Sequence, residues 1–308
     1  MLCIDQLSVD FPVQGGSIRP VDHICLEVLE NRRHVIVGET GSGKSVLLAT
    51  ILGLAGGRVQ GSIRWNDREL VGLGAREFAR LRGSEIAYIP QGNASGMNPL
   101  IRNGHQIGEP LIVHRGVTRR MAFRQAVETM RRLDFLRPEH WAWHYPHNLS
   151  GGMKQRALVA MGTIAGSRLL LADEPTKGLD EARRAEVEAL FCGLEGTTLL
   201  CVSHDLRFTR RIAHSASVMY AGQLLETCSC EALFQEPLHP YSQMLIASMP
   251  ENGFHFPEGF APSHRDYARL GCRFADRCPH AGPRCGNPPP VVQLSERQVQ
   301  CWRYADRT

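Results

Sequence analysis

The sequence predicts an α/β fold around a parallel sheet, followed by a small irregular domain toward the C-terminal end. Short apolar runs alternate with stretches long enough for helices, a pattern typical of buried parallel strands joined by helical crossovers. These runs are residues 34–38, 86–90, 169–173, 198–203 and 217–220. After about Glu236 proline and glycine become frequent and the helical spacing of apolar residues fades. We therefore expect a large domain over residues 1–235 and a smaller one over residues 236–308.

Two further elements are expected inside the large domain. Residues 61–65 and the N-terminal segment look like a small antiparallel β element near the start of the chain. Between residues 101 and 156 the pattern is mostly helical, and in residues 119–136 the apolar side chains recur at the spacing of one helix face. We expect a helical subdomain over about residues 92–165.

Composition and charge exclude several classes of protein. The 308 residues are 43% hydrophobic, which suits one domain with a sizeable core and a smaller appendage. The net charge of +4 is spread along the chain, whereas a nucleic-acid binder concentrates its basic residues, so no nucleic-acid partner is expected. The longest apolar runs are too short to span a bilayer, and residues 1–11 resemble a first strand rather than a signal peptide. We expect a cytosolic chain unless a partner holds it at a membrane.

A glycine-rich turn follows the first apolar run and precedes a predicted helix. Its sequence is Gly38-Glu39-Thr40-Gly41-Ser42-Gly43-Lys44-Ser45, which matches the P-loop pattern. The glycines let backbone N–H groups curl around phosphates, and the helix N-terminus adds the positive end of its dipole. In this pattern Lys44 reaches the β- and γ-phosphates and the Ser45 hydroxyl binds Mg²⁺. The turn predicts a nucleoside triphosphate site.

Two carboxylates end the buried run of residues 169–173. Asp173 stands at the strand end, where such enzymes hold Mg²⁺, and Glu174 follows at once. A carboxylate in that position can orient or deprotonate an attacking water. Together with the P-loop, this pair predicts a P-loop NTPase with a RecA-like core, a class that includes kinases, helicases and GTPases.

A second anion-binding helix start narrows that class. Ser150 is a favourable N-cap, Gly151 and Gly152 allow close backbone approach, and a helix is expected from Met153 through Ala165. One ATP does not need two such sites in one subunit. The economical explanation is that Ser150 and Gly152 reach the γ-phosphate of an ATP held by another subunit.

Residues 149–156 match Leu-Ser-Gly-Gly-x-x-Gln-Arg, the signature motif of the ABC (ATP-binding cassette) family, and the sequence resembles the ATPase subunit of that family. The resemblance covers roughly residues 1–233. It implies that Gln91 senses Mg²⁺ and the transmembrane partner and that Asp180 crosses a dimer interface. It also implies that His204 contacts the γ-phosphate and that Phe11, at the end of the first strand, stacks on adenine. Two such subunits would close head-to-tail on two ATP molecules and reopen after hydrolysis.

Four cysteines mark the small C-terminal domain. They are Cys272, Cys278, Cys285 and Cys301, with gaps wider than the usual two-residue spacing of zinc sites. Small domains with few core residues generally need a staple, so one metal held by four thiolates is favoured over buried thiols or disulfides. The other six cysteines are expected to be buried packing residues.

The tail narrows the resemblance further. The His-Pro-Tyr segment at residues 239–241 and the run from Gly271 to Pro279 look like the tail of the oligopeptide/dipeptide/nickel importer ATPases. That branch implies a [4Fe–4S] cluster on the four cysteines, with Zn²⁺ as the alternative. It also implies a second, related ATPase in a heterodimer, two membrane permeases and an extracytoplasmic substrate-binding protein, on the cytoplasmic face of the inner membrane. The expected function is ATP-driven uptake of peptides, or of nickel or a metal chelate; a soluble ABC ATPase without transport is the alternative.

Overall fold

The computed structural model describes residues 1–91, 96–253, 259–267 and 271–306. These residues form two compact units. Unit 1 comprises Met1–Leu73 together with Val202–Thr308, and unit 2 comprises Gly74–Cys201. This division follows spatial contacts and differs from the division at residues 235/236 expected from composition, which stays a prediction.

The strands in the described residues are bounded as follows. In chain order they are β1 (Leu2–Val13), β2 (Gly16–Val28), β3 (Arg33–Val37), β4 (Arg58–Trp65), β5 (Arg68–Glu69), β6 (Ile86–Ile89), β7 (Leu169–Asp173), β8 (Thr198–Ser203), β9 (Ser215–Tyr220), β10 (Gln223–Ser229), β11 (Val291–Leu294) and β12 (Arg297–Gln300). The four later apolar runs of the sequence coincide with β6, β7, β8 and β9 to within two residues at either end. Those strand predictions are confirmed.

The α-helices of the same residues follow the strands in the expected alternation. They are α1 (Lys44–Ile51), α2 (Ala75–Leu81), α3 (Asn103–Arg115), α4 (Arg119–Arg132), α5 (Pro138–Trp143), α6 (Gly151–Thr163), α7 (Glu181–Cys192), α8 (Leu206–Ile212), α9 (Cys230–Gln235) and α10 (Pro240–Ala247). Helix α4 stops earlier than residue 136 because Asp134 adopts a left-handed conformation with φ of 57°. In the part of the chain that the structure describes, no helix is long and apolar enough to cross a bilayer.

Unit 1 contains an antiparallel sheet in the order β2-β1-β4-β5. Strand β1 pairs with β2 on one side and with β4 on the other, so that Leu2 lies opposite both Val28 and Trp65. The inward side chains of these strands are almost fully buried, among them Leu7, Val9 and Trp65. The small antiparallel β element expected from residues 61–65 and the N-terminal segment is confirmed.

The second sheet of unit 1 runs in the order β11-β12-β10-β9-β3. Strands β3 and β9 are parallel, whereas the other neighbouring pairs are antiparallel. The parallel arrangement expected for the runs at residues 34–38 and 217–220 is therefore confirmed, and strands β10 to β12 extend this sheet with antiparallel pairs. The reason is local: β9 and β10 are joined by the two-residue turn Ala221-Gly222, and a connection that short can join only antiparallel strands.

Unit 2 is built around β6 and β7, which are parallel with Ile86 opposite Leu169. All five residues of β7 are buried, which explains its uninterrupted apolar sequence. Helices α3 and α4 contact each other and both α5 and α6, and these four helices supply the expected helical subdomain. Its predicted start, residues 92–95, lies outside the described residues.

The C-terminal segment joins the rest of unit 1 through Glu226 of β10. This side chain is fully buried and accepts hydrogen bonds from the N–H groups of Leu238 and His239 at 3.0 and 2.9 Å. Arg297 of β12 donates to the same carboxylate at 2.9 Å. A buried charge is tolerated when it is paired and hydrogen-bonded in this way. Glu226 thus fixes the chain before Cys272 and again between Cys285 and Cys301.

Candidate nucleotide site

The phosphate loop, residues 38–45, connects β3 to α1 in unit 1 as the sequence predicts. Two of its glycines are required by the surrounding backbone. A Cβ at Gly43 would lie 2.0 Å from the carbonyl oxygen of Pro20, and Gly43 has φ of 105°. A Cβ at Gly38 would lie 2.0 Å from the carbonyl oxygen of Met219. The loop is therefore held close to strands β2 and β9, and no larger residue fits at either position.

Lys44 is oriented across this loop. Its side chain is buried, and Nζ donates to the carbonyl oxygens of Gly38 and Glu39, both at 2.8 Å. The N-cap of α1 is Gly43, which has no side chain to occupy the N–H groups of the first turn. The loop thus combines a fixed ammonium group with helix N–H groups, the arrangement that binds phosphate.

Unit 1 also carries Phe11 and His204. Phe11 is half-buried and lies opposite Ile18. It was expected at the end of the first strand, but β1 continues to Val13 because pairing with β2 extends to Gly16. His204 is exposed directly after β8, and the next residue, Asp205, caps α8 by accepting from the N–H of Phe208 at 3.0 Å.

Unit 2 carries the two predicted carboxylates. Asp173 and Glu174 are both buried at the end of β7. The Tyr88 hydroxyl donates to Asp173 at 3.3 Å. Burial, and then the negative charge of Asp173, raises the pKa of Tyr88 to about 12. Tyr88 therefore stays a neutral donor that orients Asp173, a role that the sequence did not indicate because an isolated strand tyrosine carries no motif.

Glu174 has a left-handed backbone with φ of 47°. Such a conformation is uncommon outside glycine and costs about 1 kcal/mol or more, and it is found preferentially at functional sites. Burial, followed by the charges of Glu174 and Asp173, raises the pKa of the Cys201 thiol well above its ordinary value. The two carboxylates therefore make this strand end strongly electronegative, which suits a divalent cation.

The predicted signature residues lie at the start of α6, also in unit 2. Ser150 is the N-cap and its hydroxyl accepts from the N–H of Met153 at 3.3 Å. Ser150 is exposed, Gly151 is half-buried and Gly152 is buried, with Glu186 so close to Gly152 that a Cβ would lie 2.8 Å from its carboxylate. An exposed helix start of this kind can receive an anion from outside the chain.

Two further predicted residues of unit 2 are exposed. Asp180 is the N-cap of α7 and accepts from the N–H of Arg183 at 2.9 Å. Gln91 is the second residue after the end of β6. Unit 1 thus contains the phosphate loop, Phe11 and His204. Unit 2 contains Gln91, residues 150–152, Asp173, Glu174 and Asp180.

The four C-terminal cysteines line one cavity of about 210 Å³, together with His239 and Phe274. Burial is the main cause that raises the pKa of the Cys272 thiol to about 11, and the neighbouring cysteines Cys285, Cys301 and Cys278 add to it. Across the described ranges, no three His, Cys, Asp or Glu side chains stand in a geometry ready to hold a metal ion. The thiols are gathered, but a metal centre is not shown.

Comparisons with known proteins agree with these features. A family model described as "ABC transporter" matches residues 21–177, and one described as "Oligopeptide/dipeptide transporter, C-terminal region" matches residues 225–285. The oligopeptide transport ATP-binding protein AppD of Bacillus subtilis is 35% identical over 320 residues, which cover 99% of this chain and 97% of AppD. The dipeptide transport ATP-binding protein DppD of Escherichia coli is 35% identical over 314 residues, which cover 98% of this chain and 96% of DppD.

A solved structure supports the fold. The dimeric ABC transporter cassette MJ0796, bound to ADP and Pi, superimposes with a TM-score of 0.67 over 75% of this chain and 99% of that one, at 24% identity. Phosphate loop, acidic strand end and Ser-Gly-Gly helix start together define a P-loop ATPase of the ABC class. The chain belongs to the ABC transporter ATP-binding family, in the branch with the oligopeptide/dipeptide C-terminal region, and is the ATP-hydrolysing subunit of its transporter. The predicted family and fold class are confirmed.

Proposed function

We propose that this chain hydrolyses ATP to drive the import of peptides. The observation that carries the proposal is the match of residues 225–285 to the oligopeptide/dipeptide transporter C-terminal region, in a chain related throughout to AppD and DppD. The relatives are named for oligopeptide and dipeptide transport, so peptides are preferred over nickel or a metal chelate. The same match argues against a soluble ABC ATPase that has no transport partner.

Uptake by cells tests this cargo. The cells lack the chain and cannot make one amino acid. That amino acid is supplied either free or within a dipeptide or oligopeptide, and nickel uptake is measured in parallel. Peptide import is supported if these cells grow on the free amino acid but not on the peptide. Growth on the peptide should then be restored by the native chain but not by Lys44→Ala. Normal growth on every peptide tested, combined with loss of nickel uptake, would replace the peptide with nickel as cargo.

The proposed roles in hydrolysis follow the family. The phosphate loop binds the phosphates, Ser45, Asp173 and Gln91 hold Mg²⁺, and Phe11 stacks on adenine. Glu174 positions or deprotonates the attacking water, and His204 contacts the γ-phosphate. The ATP bound by a second subunit is contacted by the start of α6 and of α7, that is by Ser150, Gly151, Gly152 and Asp180. The observations in favour are the buried carboxylate pair, the left-handed Glu174 and the exposed start of α6.

The proposed assembly contains a second, related ATPase in a heterodimer, two membrane permeases and an extracytoplasmic substrate-binding protein. The chain would lie at the cytoplasmic face of the inner membrane, held by the permeases. Exposure of Gln91 and of Ser150 supports partners on those surfaces. Affinity purification of the tagged chain from solubilised membranes tests the assembly, and recovery of a homodimer without a second ATPase would contradict the heterodimer.

The donor set of the C-terminal cavity fits a thiolate-bound metal centre. Cys272, Cys278, Cys285 and Cys301 line the same cavity, and four thiolates are the ligands of both [4Fe–4S] clusters and structural zinc. When bound, either group would cross-link the segment through its four sulfurs. We propose the [4Fe–4S] cluster, with Zn²⁺ as the alternative.

An unpaired nitrogen in the same cavity supports that fit. His239 Nδ1 accepts from the N–H of Tyr241 at 3.0 Å, and burial lowers the pKa of His239 to about 3. The ring is therefore neutral and carries its proton on Nε2. Nε2 is buried and has no hydrogen-bond partner among the described residues. A buried donor beside four cysteine sulfurs is what a bound thiolate or sulfide would satisfy.

Metal analysis of anaerobically purified protein tests this site. Brown protein with several irons per chain is expected, and Cys278→Ser should lose the colour. Cys192→Ser is the control, since Cys192 is an exposed thiol of unit 2; the expectation that it is buried is wrong. One zinc per chain would favour the alternative, and metal-free native protein would contradict both.

A further inference from the structure

The four-cysteine segment, residues 272–301, contacts the phosphate loop directly. Arg277, next to Cys278, makes a two-pronged ion pair with Glu39, the second residue of the loop, at 2.9 and 3.1 Å. The Arg277 side chain is 5% exposed and that of Glu39 is 30% exposed. A bidentate, largely buried pair of this kind is geometrically specific, and its loss leaves one charge without compensation.

A second contact reaches the backbone of the same residue. The Tyr241 hydroxyl accepts from the N–H of Glu39 at 3.1 Å. The Tyr241 ring packs against Tyr220 and Phe274, with ring centroids 4.5 and 5.3 Å apart. The hydroxyl is therefore fixed by a buried aromatic cluster, part of which comes from the segment between Cys272 and Cys278.

A third contact reaches the loop through a turn. Arg273 of the same segment pairs with Asp22 and donates to the carbonyl oxygen of Ala221. The N–H of Gly222, the next residue, donates to the carbonyl oxygen of Ser42 in the loop at 3.0 Å. Arg273 and its partner Asp22 are both buried. The turn between β9 and β10 thus transmits the position of the segment to the phosphate loop.

We propose that Arg277 is a positioning residue for ATP: the C-terminal segment holds the phosphate loop in place and, through Arg277, neutralises the carboxylate of Glu39. ATP brings several negative charges to the loop, so an uncompensated Glu39 carboxylate repels it. The inference rests on the proposed role of residues 38–45 in phosphate binding, and it does not depend on which metal the cysteines hold.

The test is equilibrium binding of a fluorescent ATP analogue to the full-length chain, with EDTA present to prevent hydrolysis. The variants are Arg277→Met, Glu39→Gln and the two combined. Arg277→Met is expected to raise the Kd about tenfold, and adding Glu39→Gln should recover most of the loss, because the repelling charge is then absent. Arg284→Met is the matched control: Arg284 lies in the same segment of the chain, over the Trp302 ring and paired with the exposed Asp306.

The outcomes separate the inference from the function on which it rests. If Lys44→Ala binds the analogue as well as the native chain does, the proposed phosphate site itself fails. If Lys44→Ala abolishes binding but Arg277→Met leaves the Kd unchanged, the positioning role is overturned. A double variant no better than Arg277→Met would also overturn it, since the effect would then not pass through Glu39. Should Arg277→Met not fold, Arg277→Gln removes the charge but keeps a side chain that can hydrogen-bond Glu39, and an unchanged Kd in that variant would equally refute the proposal.

Discussion

Arg277 and Glu39 stand 238 residues apart in the chain and meet in a bidentate ion pair at the phosphate loop. The pair connects the P-loop near the start of the chain with the four-cysteine run near its end. It gives a physical reason for the C-terminal segment to influence nucleotide binding. Substitutions at separate positions can distinguish this influence on nucleotide binding from effects on catalysis and on stability.

Glu174→Gln is expected to reduce ATP turnover by at least about 100-fold while ATP binding is retained. The amide keeps the shape of the side chain but cannot accept a proton from the attacking water. Turnover is measured in the assembled transporter and binding in the same preparation. Glu195→Gln, an exposed acid of the same unit, is the control and should hydrolyse ATP normally. Undiminished hydrolysis by Glu174→Gln would remove Glu174 from the catalytic role.

Tyr241→Phe is expected to raise the Kd for ATP several-fold and to lower the free energy of unfolding by about 1 kcal/mol. The ring stays in its aromatic cluster, but the N–H of Glu39 loses its acceptor. Tyr304→Phe removes a comparable hydrogen bond, to the carbonyl oxygen of Leu238 at 2.9 Å, away from the loop. It should lower stability without changing the Kd. Equal Kd values for the two variants would show that the Tyr241 hydroxyl does not position the loop.

His239→Asn is expected to lower the reduction potential of the iron–sulfur form of the protein. Asn is a good N-cap and can still accept from the N–H of Tyr241, so α10 should keep its start. The shorter side chain withdraws the donor that Nε2 offers to the cavity, and hydrogen bonds to sulfur favour the more negative, reduced state. The midpoint potential is measured by an anaerobic redox titration followed by absorption. A potential equal to that of the native protein would exclude the proposed hydrogen bond.

His34 makes stability depend on pH. It is fully buried in β3 between the hydroxyls of Ser215 and Ser217, and burial lowers its pKa from 6.5 to about 4. Because the unfolded chain binds the proton more readily, stability is lost as the pH falls through 6.5 toward 4. Between pH 7 and pH 5 this residue should account for a loss of about 2 kcal/mol.

Urea unfolding of the native chain and of His34→Gln at pH 7 and at pH 5 measures this contribution of His34 to the free energy of unfolding. The variant is expected to be less stable at pH 7 but to lose less stability on acidification. His23→Gln is the control, because the ring of His23 is largely exposed. The same loss on acidification in His34→Gln as in the native chain would contradict the assignment.

The local motifs could be predicted from the sequence because their information is contiguous. The phosphate loop needs a strand, glycines and a helix in succession, and the buried strands need only short apolar runs, so β3 and β6 to β9 were located closely. The start of α6 was predicted for the same reason, from an N-cap serine and two glycines. The roles of Gln91, Asp180 and His204 came from family resemblance, and they remain proposals.

By itself, the sequence determined the class of the protein, its phosphate loop and the four cysteines of its tail. Only the tertiary structure decided which distant groups meet: Tyr88 with Asp173, the cysteines around one cavity, and Arg277 with Glu39. It also decided that β10 and β12 extend the parallel pair of β3 and β9 with antiparallel neighbours. The physical reason is that propensity and spacing act over a few residues, whereas burial and charge pairing depend on the path of the whole chain.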